Sequence, residues 1–235
     1  MLLITFGTRP EYIKVKPVMD ELRKRNFKYK TFFTGQHQDL LKNIEPPNHE
    51  LDVTSGPNRL DSIVQSILNN ENIFEDITSV MVQGDTTSAF ATALAAFHRK
   101  IPVAHLEAGL RTYDKFSPYP EEFNRKAISA LAEIHFPPTH TAKDRLLQEG
   151  YTEKIFVVGN TVLDNISHIK TSDTNTVIVT LHRREKHDKI DQWFAAINEL
   201  AKKRPDLRFV LPIHPNPMVK KFEYLLTDVE VCSPM

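Results

Sequence analysis

Residues 101–112 read Ile-Pro-Val-Ala-His-Leu-Glu-Ala-Gly-Leu-Arg-Thr, and the rest of the chain is organised around them. The run from Pro102 to Leu106 predicts a short buried strand, and at its end the apolar character gives way to Glu107, Gly109 and Arg111. Ligands bind at the carboxyl ends of strands in parallel α/β sheets, because loops and helix N-termini gather there. A lone carboxylate that closes an apolar strand needs a partner or a function, so Glu107 is a candidate site residue.

A second acidic pair stands at the start of the next predicted helix. Glu121 and Glu122 follow Pro120, and proline is favoured where a helix begins. Two interpretations stay open at this point. The pair either belongs to a functional site or only complements the positive end of the helix dipole.

Toward the N-terminus, short β-like runs alternate with amphipathic helices. Leu2 to Phe6 is almost continuously apolar, which predicts a strand covered on both faces. A turn leads into a helix in which Pro17 should cause a kink, because proline has no backbone N–H to donate. Arg9 and Lys14 lie around the first turns of this helix, and a helix N-terminus with cations beside it suits an anion such as phosphate.

Two more predicted strands end in polar residues at the same edge of the sheet. The strand 29–33 is followed by Gln36 and His37, and the strand 79–83 is followed by Asp85. Asp85 alone would be read as a helix cap, but Arg9, Asp85 and Glu107 occupy the same type of position on successive β-α units. We also expect Phe90, Ala93, Leu94 and Phe97 to form the inner face of the helix after Asp85.

The rest of the chain predicts two domains. A strand at 134–136, a helix from 141, a strand at 155–158 and a helix near 162 complete a first Rossmann-like domain, residues 1–169. The polar run 170–176 predicts a linker. Strands at 177–181, 208–213 and 229–232 with a helix at 190–203 predict part of a second Rossmann-like domain, residues 177–235, whose strand ends carry His182, Arg183 and His214.

Composition narrows the class of function. The 235 residues carry no net charge, which gives neither the basic excess of a nucleic-acid-binding protein nor a polybasic membrane patch. Small, charged molecules fit better as ligands. The single cysteine, Cys232, cannot form an intramolecular disulfide and gives no support to a cysteine-rich metal site. Without a signal-like or membrane-length apolar run, we expect a cytoplasmic protein.

Several longer motifs carry a family resemblance. They are Phe6-Gly7-Thr8-Arg9-Pro10-Glu11 with Ile13-Lys14; Gly35-Gln36-His37; Gln83-Gly84-Asp85-Thr86-Thr87; His105-Leu106-Glu107-Ala108-Gly109-Leu110-Arg111-Thr112; Ser117-Pro118-Tyr119-Pro120-Glu121-Glu122-Phe123-Asn124-Arg125; Gly159-Asn160-Thr161-Val162; and His182-Arg183-Arg184-Glu185. In colinear order over the whole chain, they resemble the non-hydrolysing UDP-N-acetylglucosamine 2-epimerases of bacteria. The hydrolysing relatives differ at the first motif and at Glu107-Ala108-Gly109-Leu110-Arg111.

The resemblance implies an α/β fold of the glycosyltransferase B (GT-B) type, with two Rossmann-like domains. It implies interconversion of UDP-N-acetylglucosamine and UDP-N-acetylmannosamine without a cofactor or a metal, by anti elimination of UDP to 2-acetamidoglucal and re-addition of UDP. By similarity, the acid and base carboxylates are Asp85, Glu107 and Glu121. The residues that hold the diphosphate or the substrate are Arg9, Lys14, Arg111 and His182, and His182 also assists departure of UDP.

The resemblance further implies a homodimer and a second, activating nucleotide sugar beside the active site. The matching positions are Gln36, His37, Arg183 and His214, although Asp39 stands where a second glutamine is common. Lys186-His187-Asp188-Lys189 also replaces the usual Asn- and Gly-containing loop. The family's Ser-Gly-Gly-x-Gln-Glu segment is absent, so we expect an incomplete second domain. Either a second chain completes this domain or the rest of it is absent.

Two alternatives stay open beside the epimerase. The first is a nucleotide-sugar-binding module, or an inactive truncated relative, that retains the pocket without turnover. The second is a GT-B glycosyltransferase, because a fold alone does not fix its chemistry. Replacement of Glu107 and Glu121 would leave sugar transfer intact in such a glycosyltransferase.

Overall fold

The chain forms two compact units, Met1–Ile169 and Lys170–Met235, which we call the first and the second unit. The computed structural model describes residues 1–36, 44–53, 56–170, 172–181, 189–213 and 216–233. Within these ranges, no helix is both long enough and apolar enough to cross a lipid bilayer.

The first unit is a parallel sheet with helices on both faces. Its strands are β1 Leu2–Phe6, β2 Tyr29–Phe33, β3 His49–Glu50, β4 Ser79–Gln83, β5 Val103–Leu106 and β6 Ile134–Phe136. Its helices are α1 Arg9–Lys24, α2 Arg59–Leu68, α3 Thr87–His98, α4 Glu121–Leu131 and α5 His140–Gln148, with 3-10 helices at Asn72–Phe74 and Thr161–Asn165. The predicted α/β fold with a Rossmann-like parallel sheet is confirmed.

The order of the strands fixes where a ligand can bind. The sheet runs β3-β2-β1-β4-β5-β6, and every pair in it is parallel. The chain extends in one direction from β1 to β3 and in the other direction from β4 to β6, so the topological switch point lies between β1 and β4. In open α/β sheets, the crevice outside the carboxyl ends of the strands at this point is the usual ligand site.

Both faces of the sheet are covered, as the apolar sequence of β1 predicts. Leu3 and Phe32 belong to the core under α2 and α3, whereas the next residues, Ile4 and Phe33, belong to the core under α1. All four side chains are fully buried. Successive strand residues point to opposite faces, and here each face meets helices.

The inner face of α3 matches the prediction only in part, since Ala93 is fully buried and Phe90 packs against the core, but Phe97 does not face inward. Phe97 is 55% exposed, while the fully or nearly fully buried positions include Ser88, Ala89, Thr92 and Ala96. These small side chains allow α3 to pack closely against its neighbours. The hydrophobic pattern of Phe90 and Phe97 pointed to a face that is only partly covered.

The prediction of a strand at 155–158 is also wrong, because these residues do not form a regular strand. Only a single parallel bridge joins Ile155 to His135 in β6, although Phe156 N donates to His135 O at 2.9 Å and Val158 N donates to Pro137 O at 3.1 Å. Pro137 and Pro138 have no N–H to donate back, so the ladder cannot continue. The helix expected near Val162 is the short 3-10 helix Thr161–Asn165.

The second unit is a three-stranded parallel sheet with its own core. Its elements are β7 Thr176–Ile178, α6 Ile190–Lys203, β8 Arg208–Pro212, α7 Pro217–Lys220, a 3-10 helix Glu223–Leu225 and β9 Glu230–Cys232. The strands lie in the order β7-β8-β9. Phe194 of α6 packs with Phe209 and Leu211 of β8 in a cluster that contains only residues of this unit.

Candidate functional site

Glu11 joins the two helix N-termini that flank the switch point. Its Oε2 accepts hydrogen bonds from Gly7 N at 3.0 Å, from Thr8 N at 2.7 Å and from the Thr8 hydroxyl at 2.7 Å, while Oε1 accepts one from the Thr86 hydroxyl at 2.7 Å. Thr8 caps α1 and Thr86 caps α3. Burial raises the pKa of Glu11, against the opposing effect of these hydrogen bonds.

This arrangement changes how an anion could bind at α1. The amides of Gly7 and Thr8, at the helix end that we expected to suit an anion, already donate to Glu11. Arg9 begins α1 and is exposed. A phosphate at this helix end would therefore be held by side chains such as those of Arg9 and Lys14.

Lys14 and Glu107 form an ion pair at the carboxyl edge of the sheet. Lys14 Nζ lies 2.6 Å from Glu107 Oε2, and the two side chains are 24% and 16% exposed. Gln83 Nε2, at the end of β4, donates to the same oxygen at 2.5 Å. Glu107 has a φ of +67°, in the left-handed region that non-glycine residues rarely adopt and that is enriched at functional sites.

Asp85 belongs to a neighbouring charged cluster, two residues beyond Gln83. Arg125 of α4 lies 2.5 Å from Asp85 Oδ2 and donates to Glu122 Oε2 at 3.3 Å. Asn124 Nδ2 donates to the backbone carbonyl of Asp85 at 2.8 Å. The first turns of α4 are thus bound directly to the end of β4.

Glu122 fixes the loop that leads into α4. Its carboxylate accepts from Thr112 N at 2.9 Å and from Tyr113 N at 3.0 Å. Burial opposes ionisation of Glu122, but these hydrogen bonds and the one from Arg125 outweigh it and lower the pKa of Glu122. The second glutamate of the acidic pair therefore has a structural task.

Glu121, the first residue of α4, differs from Glu122. Its Oε2 is buried and has no hydrogen-bond partner among the described residues. The buried Nε of Arg125 likewise lacks a partner in the described part of the chain. A buried carboxylate oxygen without a partner is costly in a folded protein, so it fits a group that a ligand would engage.

Arg111 is not brought to these clusters. Its side chain has no exposed surface and pairs with Glu149, through Nε to Oε1 at 2.8 Å and through a second guanidinium nitrogen to Oε2 at 2.6 Å. It also donates to Ser129 Oγ at 2.9 Å and to the carbonyl of Leu110 at 2.8 Å. This geometry gives the predicted substrate contact of Arg111 no support, because the guanidinium is buried in a structural ion pair.

Of the four positions predicted for a second nucleotide, only Gln36 is described. Its side-chain oxygen accepts from the Ser88 hydroxyl at 2.7 Å, and its backbone carbonyl accepts from Arg59 at 2.5 Å. His37, Arg183 and His214 lie outside the described residues, as does the predicted catalytic residue His182.

Sequence reasoning missed Gln83, Asn124 and Arg125 as members of the site, and it left Glu122 open between a functional site and the helix dipole. Glu122 and Arg125 carried a usable signal, since opposite charges three residues apart on a helix are neighbours. Gln83 gave none, because its contact with Glu107 depends on the adjacency of β4 and β5.

The chain is similar to several known proteins. A family model described as UDP-N-acetylglucosamine 2-epimerase matches residues 20–233. A UDP-N-acetylglucosamine 2-epimerase of Neisseria meningitidis is 40% identical over 97% of this chain and 70% of its own length. A crystal structure of UDP-GlcNAc 2-epimerase from that organism, bound to UDP-GlcNAc, is 38% identical with a TM-score of 0.80, over 100% of this chain and 72% of that one.

A structure of S. aureus MnaA with UDP gives a TM-score of 0.80 at 34% identity, over 100% of this chain and 69% of that one. The predicted GT-B-type class is confirmed by these likenesses. The chain spans 70%, 64% and 68% of the lengths of three curated relatives that it matches. With a matching family model over most of its length and relatives of up to 40% identity, the chain belongs to the UDP-N-acetylglucosamine 2-epimerase family of enzymes.

Proposed function

We propose that this chain interconverts UDP-N-acetylglucosamine and UDP-N-acetylmannosamine at the carboxyl edge of the first unit's sheet. The observation that carries the proposal is the pair of adjacent clusters, Lys14–Glu107–Gln83 and Asp85–Arg125–Glu122. They group carboxylates and cations at the switch point of the sheet. The relative bound to UDP-GlcNAc supports the same choice of substrate.

The chemistry needs a base, an acid and a site for the leaving diphosphate. A carboxylate takes the proton from carbon 2 of the sugar, and the bond from carbon 1 to the diphosphate oxygen breaks, with its electron pair leaving on UDP. The products of this step are 2-acetamidoglucal and UDP. UDP then returns to carbon 1 while a proton is delivered to carbon 2 on the face opposite to the one it left, which balances the reaction without an oxidant.

The residues divide between these tasks by chemical type. Asp85, Glu107 and Glu121 are the proposed acid and base set. Lys14 has three N–H donors and gives one to Glu107, so others remain for a phosphate oxygen. Arg9, exposed at the start of α1, is the second proposed diphosphate contact. Cations placed on a departing diphosphate stabilise the charge that develops there.

Solvent exchange at carbon 2 tests the proposal directly. Incubation of the chain with UDP-N-acetylglucosamine in D₂O should place deuterium on carbon 2, and proton NMR measures this exchange. Glu107→Gln should slow this exchange by about a hundredfold or more, the usual contribution of a general acid or base. Glu133→Gln is the matched control, since Glu133 is an exposed carboxylate paired only loosely with Lys154 at 3.5 Å.

Calorimetry with UDP separates the remaining outcomes. Binding of UDP together with exchange at carbon 2 supports the epimerase. Binding without exchange favours the nucleotide-sugar-binding module. If the chain shows no binding of UDP and no exchange at carbon 2, the proposal is contradicted. Equal exchange rates in Glu107→Gln and in the unmodified chain would remove Glu107 from the acid and base set.

A further inference from the structure

Helix α1 continues through a proline, and a distant segment supplies the hydrogen bond that this proline cannot make. Pro17 lies inside α1, so the carbonyl of Ile13, four residues earlier, loses its normal N–H partner. Asn165 Nδ2 donates to this carbonyl at 2.8 Å. Asn165 is the last residue of the 3-10 helix Thr161–Asn165, which lies far along the chain but within the same unit.

The same 3-10 helix contacts the next residue of α1. The Thr161 hydroxyl donates to the backbone carbonyl of Lys14 at 2.7 Å. Asn160 caps this short helix by accepting from Val162 N at 3.1 Å, which holds Thr161 in place. Two side chains of one short segment thus bind two successive carbonyls in the turn from which the Lys14 side chain extends.

We propose that Thr161 and Asn165 are positioning residues for the Lys14–Glu107 ion pair. A helical turn that lacks one backbone hydrogen bond bends more easily, and a small rotation at its backbone is amplified at the end of a lysine side chain. The Asn165 hydrogen bond replaces the restraint that is missing at Ile13, and the Thr161 hydrogen bond adds a second restraint at Lys14. They keep Lys14 Nζ within 2.6 Å of Glu107. The catalytic meaning of this restraint rests on the proposed function, whereas the restraint itself can be measured without activity.

Selective labelling of lysine amines tests the restraint. An amine-reactive reagent is applied at constant pH, and peptide mass spectrometry gives the rate at Lys14 relative to Lys24 on the same helix, which is 75% exposed and only loosely paired with Glu21 at 3.7 Å. Glu107→Gln, which removes the partner of Lys14, sets the upper reference for this ratio. Thr161→Val and Asn165→Asp should raise the ratio roughly three- to tenfold, the range expected for one ordinary hydrogen bond.

Two further variants serve as controls for a general loss of structure. Thr161→Ser keeps the hydroxyl and should return the ratio to that of the unmodified chain. Ser167→Ala removes a nearby hydroxyl that donates to Asp164 rather than to α1, and it should leave the ratio unchanged. If Asn165→Asp does not fold, the labelling ratios of Thr161→Val and Thr161→Ser are sufficient to test the inference. An unchanged ratio in Thr161→Val, or in Glu107→Gln, overturns the inference.

UDP affinity, measured by calorimetry on the same variants, keeps the two proposals apart. Failure of the unmodified chain to bind UDP counts against the proposed function and leaves the labelling result intact. Where the unmodified chain binds UDP, Thr161→Val should weaken binding about threefold or more, and Thr161→Ser should restore it. Equal affinities of Thr161→Val and the unmodified chain would contradict the positioning role.

Discussion

At the scale of single residues, His105 is a buried base kept neutral by its surroundings. It lies in β5 with no exposed surface, and its Nε2 is 2.8 Å from the carbonyl oxygen of Gly84. Its Nδ1 has no partner among the described residues. Burial lowers the pKa of His105 to about 3. A proton on this ring would therefore place an uncompensated charge beside the residue that precedes Asp85.

This shift predicts how stability depends on pH. Below pH 6.5 the unfolded chain protonates His105, whereas the folded chain does so only near pH 3. The free energy of unfolding should therefore fall as the pH drops from 6.5 toward 3, by at most about 1.4 kcal/mol per pH unit from this residue. His105→Gln should flatten the slope between pH 4.5 and 7.5, measured by denaturant-dependent hydrogen exchange of β4 and β5 peptides.

The control for this prediction is His98→Gln, at the exposed end of α3. Burial also lowers the pKa of His135, so part of the slope should survive in His105→Gln. A slope that is the same with and without His105 would show that its ring does not stay neutral in the folded chain.

Residue types alone did not reveal which charges serve the site. Glu107 and Arg111 stand in one motif, and both were predicted to contact the substrate. Glu107 lies beside Lys14 at the sheet edge, but Arg111 is buried against Glu149, which is 38 residues further along the chain. A charged residue after a strand has the same sequence signal in both cases, because only tertiary packing decides whether it faces solvent.

At the scale of elements, the loop after β5 depends on its close approach to α5. Gly109 has a φ of +82°, and a Cβ placed on it would lie 2.2 Å from the backbone carbonyl oxygen of Ala142. This loop also carries Glu107, two residues earlier. A shift of the loop would therefore move a proposed acid or base.

Gly109→Ala should destabilise the first unit through both strain and contact. Gly150 is a matched control, since it has a φ of +92° but an added Cβ would meet nothing within 4 Å. Gly150→Ala should cost about 1–2 kcal/mol in free energy of unfolding, the cost of a left-handed backbone. Gly109→Ala should cost roughly 1–3 kcal/mol more, because the carbonyl must be displaced. Chemical denaturation, monitored by far-UV circular dichroism, measures the loss of unfolding free energy in both variants. Equal losses would contradict a steric clash between the added Cβ at residue 109 and the Ala142 carbonyl.

The helices and strands were predicted where periodicity and burial agree. β1, β4 and β5 follow from apolar runs, and α6 lies where a helix was predicted at 190–203. The prediction failed for Phe97 of α3, because small residues face inward in its place. It also failed for residues 155–158, because prolines in the neighbouring segment stop the ladder. Both failures arise because the outcome depends on the neighbouring segment, and the sequence of the element itself does not show which segment will be its neighbour.

At the scale of the whole molecule, the chain has separate cores. The clusters beneath the six-stranded sheet contain residues of the first unit, and the cluster around Phe194 contains residues of the second unit. The single tryptophan, Trp193, lies in α6 of the second unit. Tryptophan fluorescence therefore reports on the second unit alone.

Phe194→Ala should unfold the second unit selectively. Truncation of a buried phenylalanine costs about 3–5 kcal/mol, which is a large share of the stability that so small a unit can have. The fluorescence transition should move to much lower denaturant, while hydrogen exchange in β1 and β4 stays unchanged. Leu200→Ala, at a position 52% exposed on the same helix, is the control and should have little effect. Equal shifts in both readouts would mean that the units unfold together.

The sequence was most informative about topology and class at this scale. Repeated β-α units with polar strand ends predicted parallel sheets and an edge for the site. The assignment of individual carboxylates to acid or base roles does not follow from that pattern, because it depends on the hydrogen bonds of each group in the fold.

The link from Asn165 back to Ile13 has a practical consequence for anyone who dissects this protein. A fragment that stops after β6 and α5 would keep the whole six-stranded sheet, but the Ile13 carbonyl of α1, one turn before Pro17, would lose its hydrogen-bond donor. Gene fragments intended to yield the first unit by itself should therefore extend past Asn165. Chimeras with relatives should exchange α1 and the Thr161–Asn165 helix together.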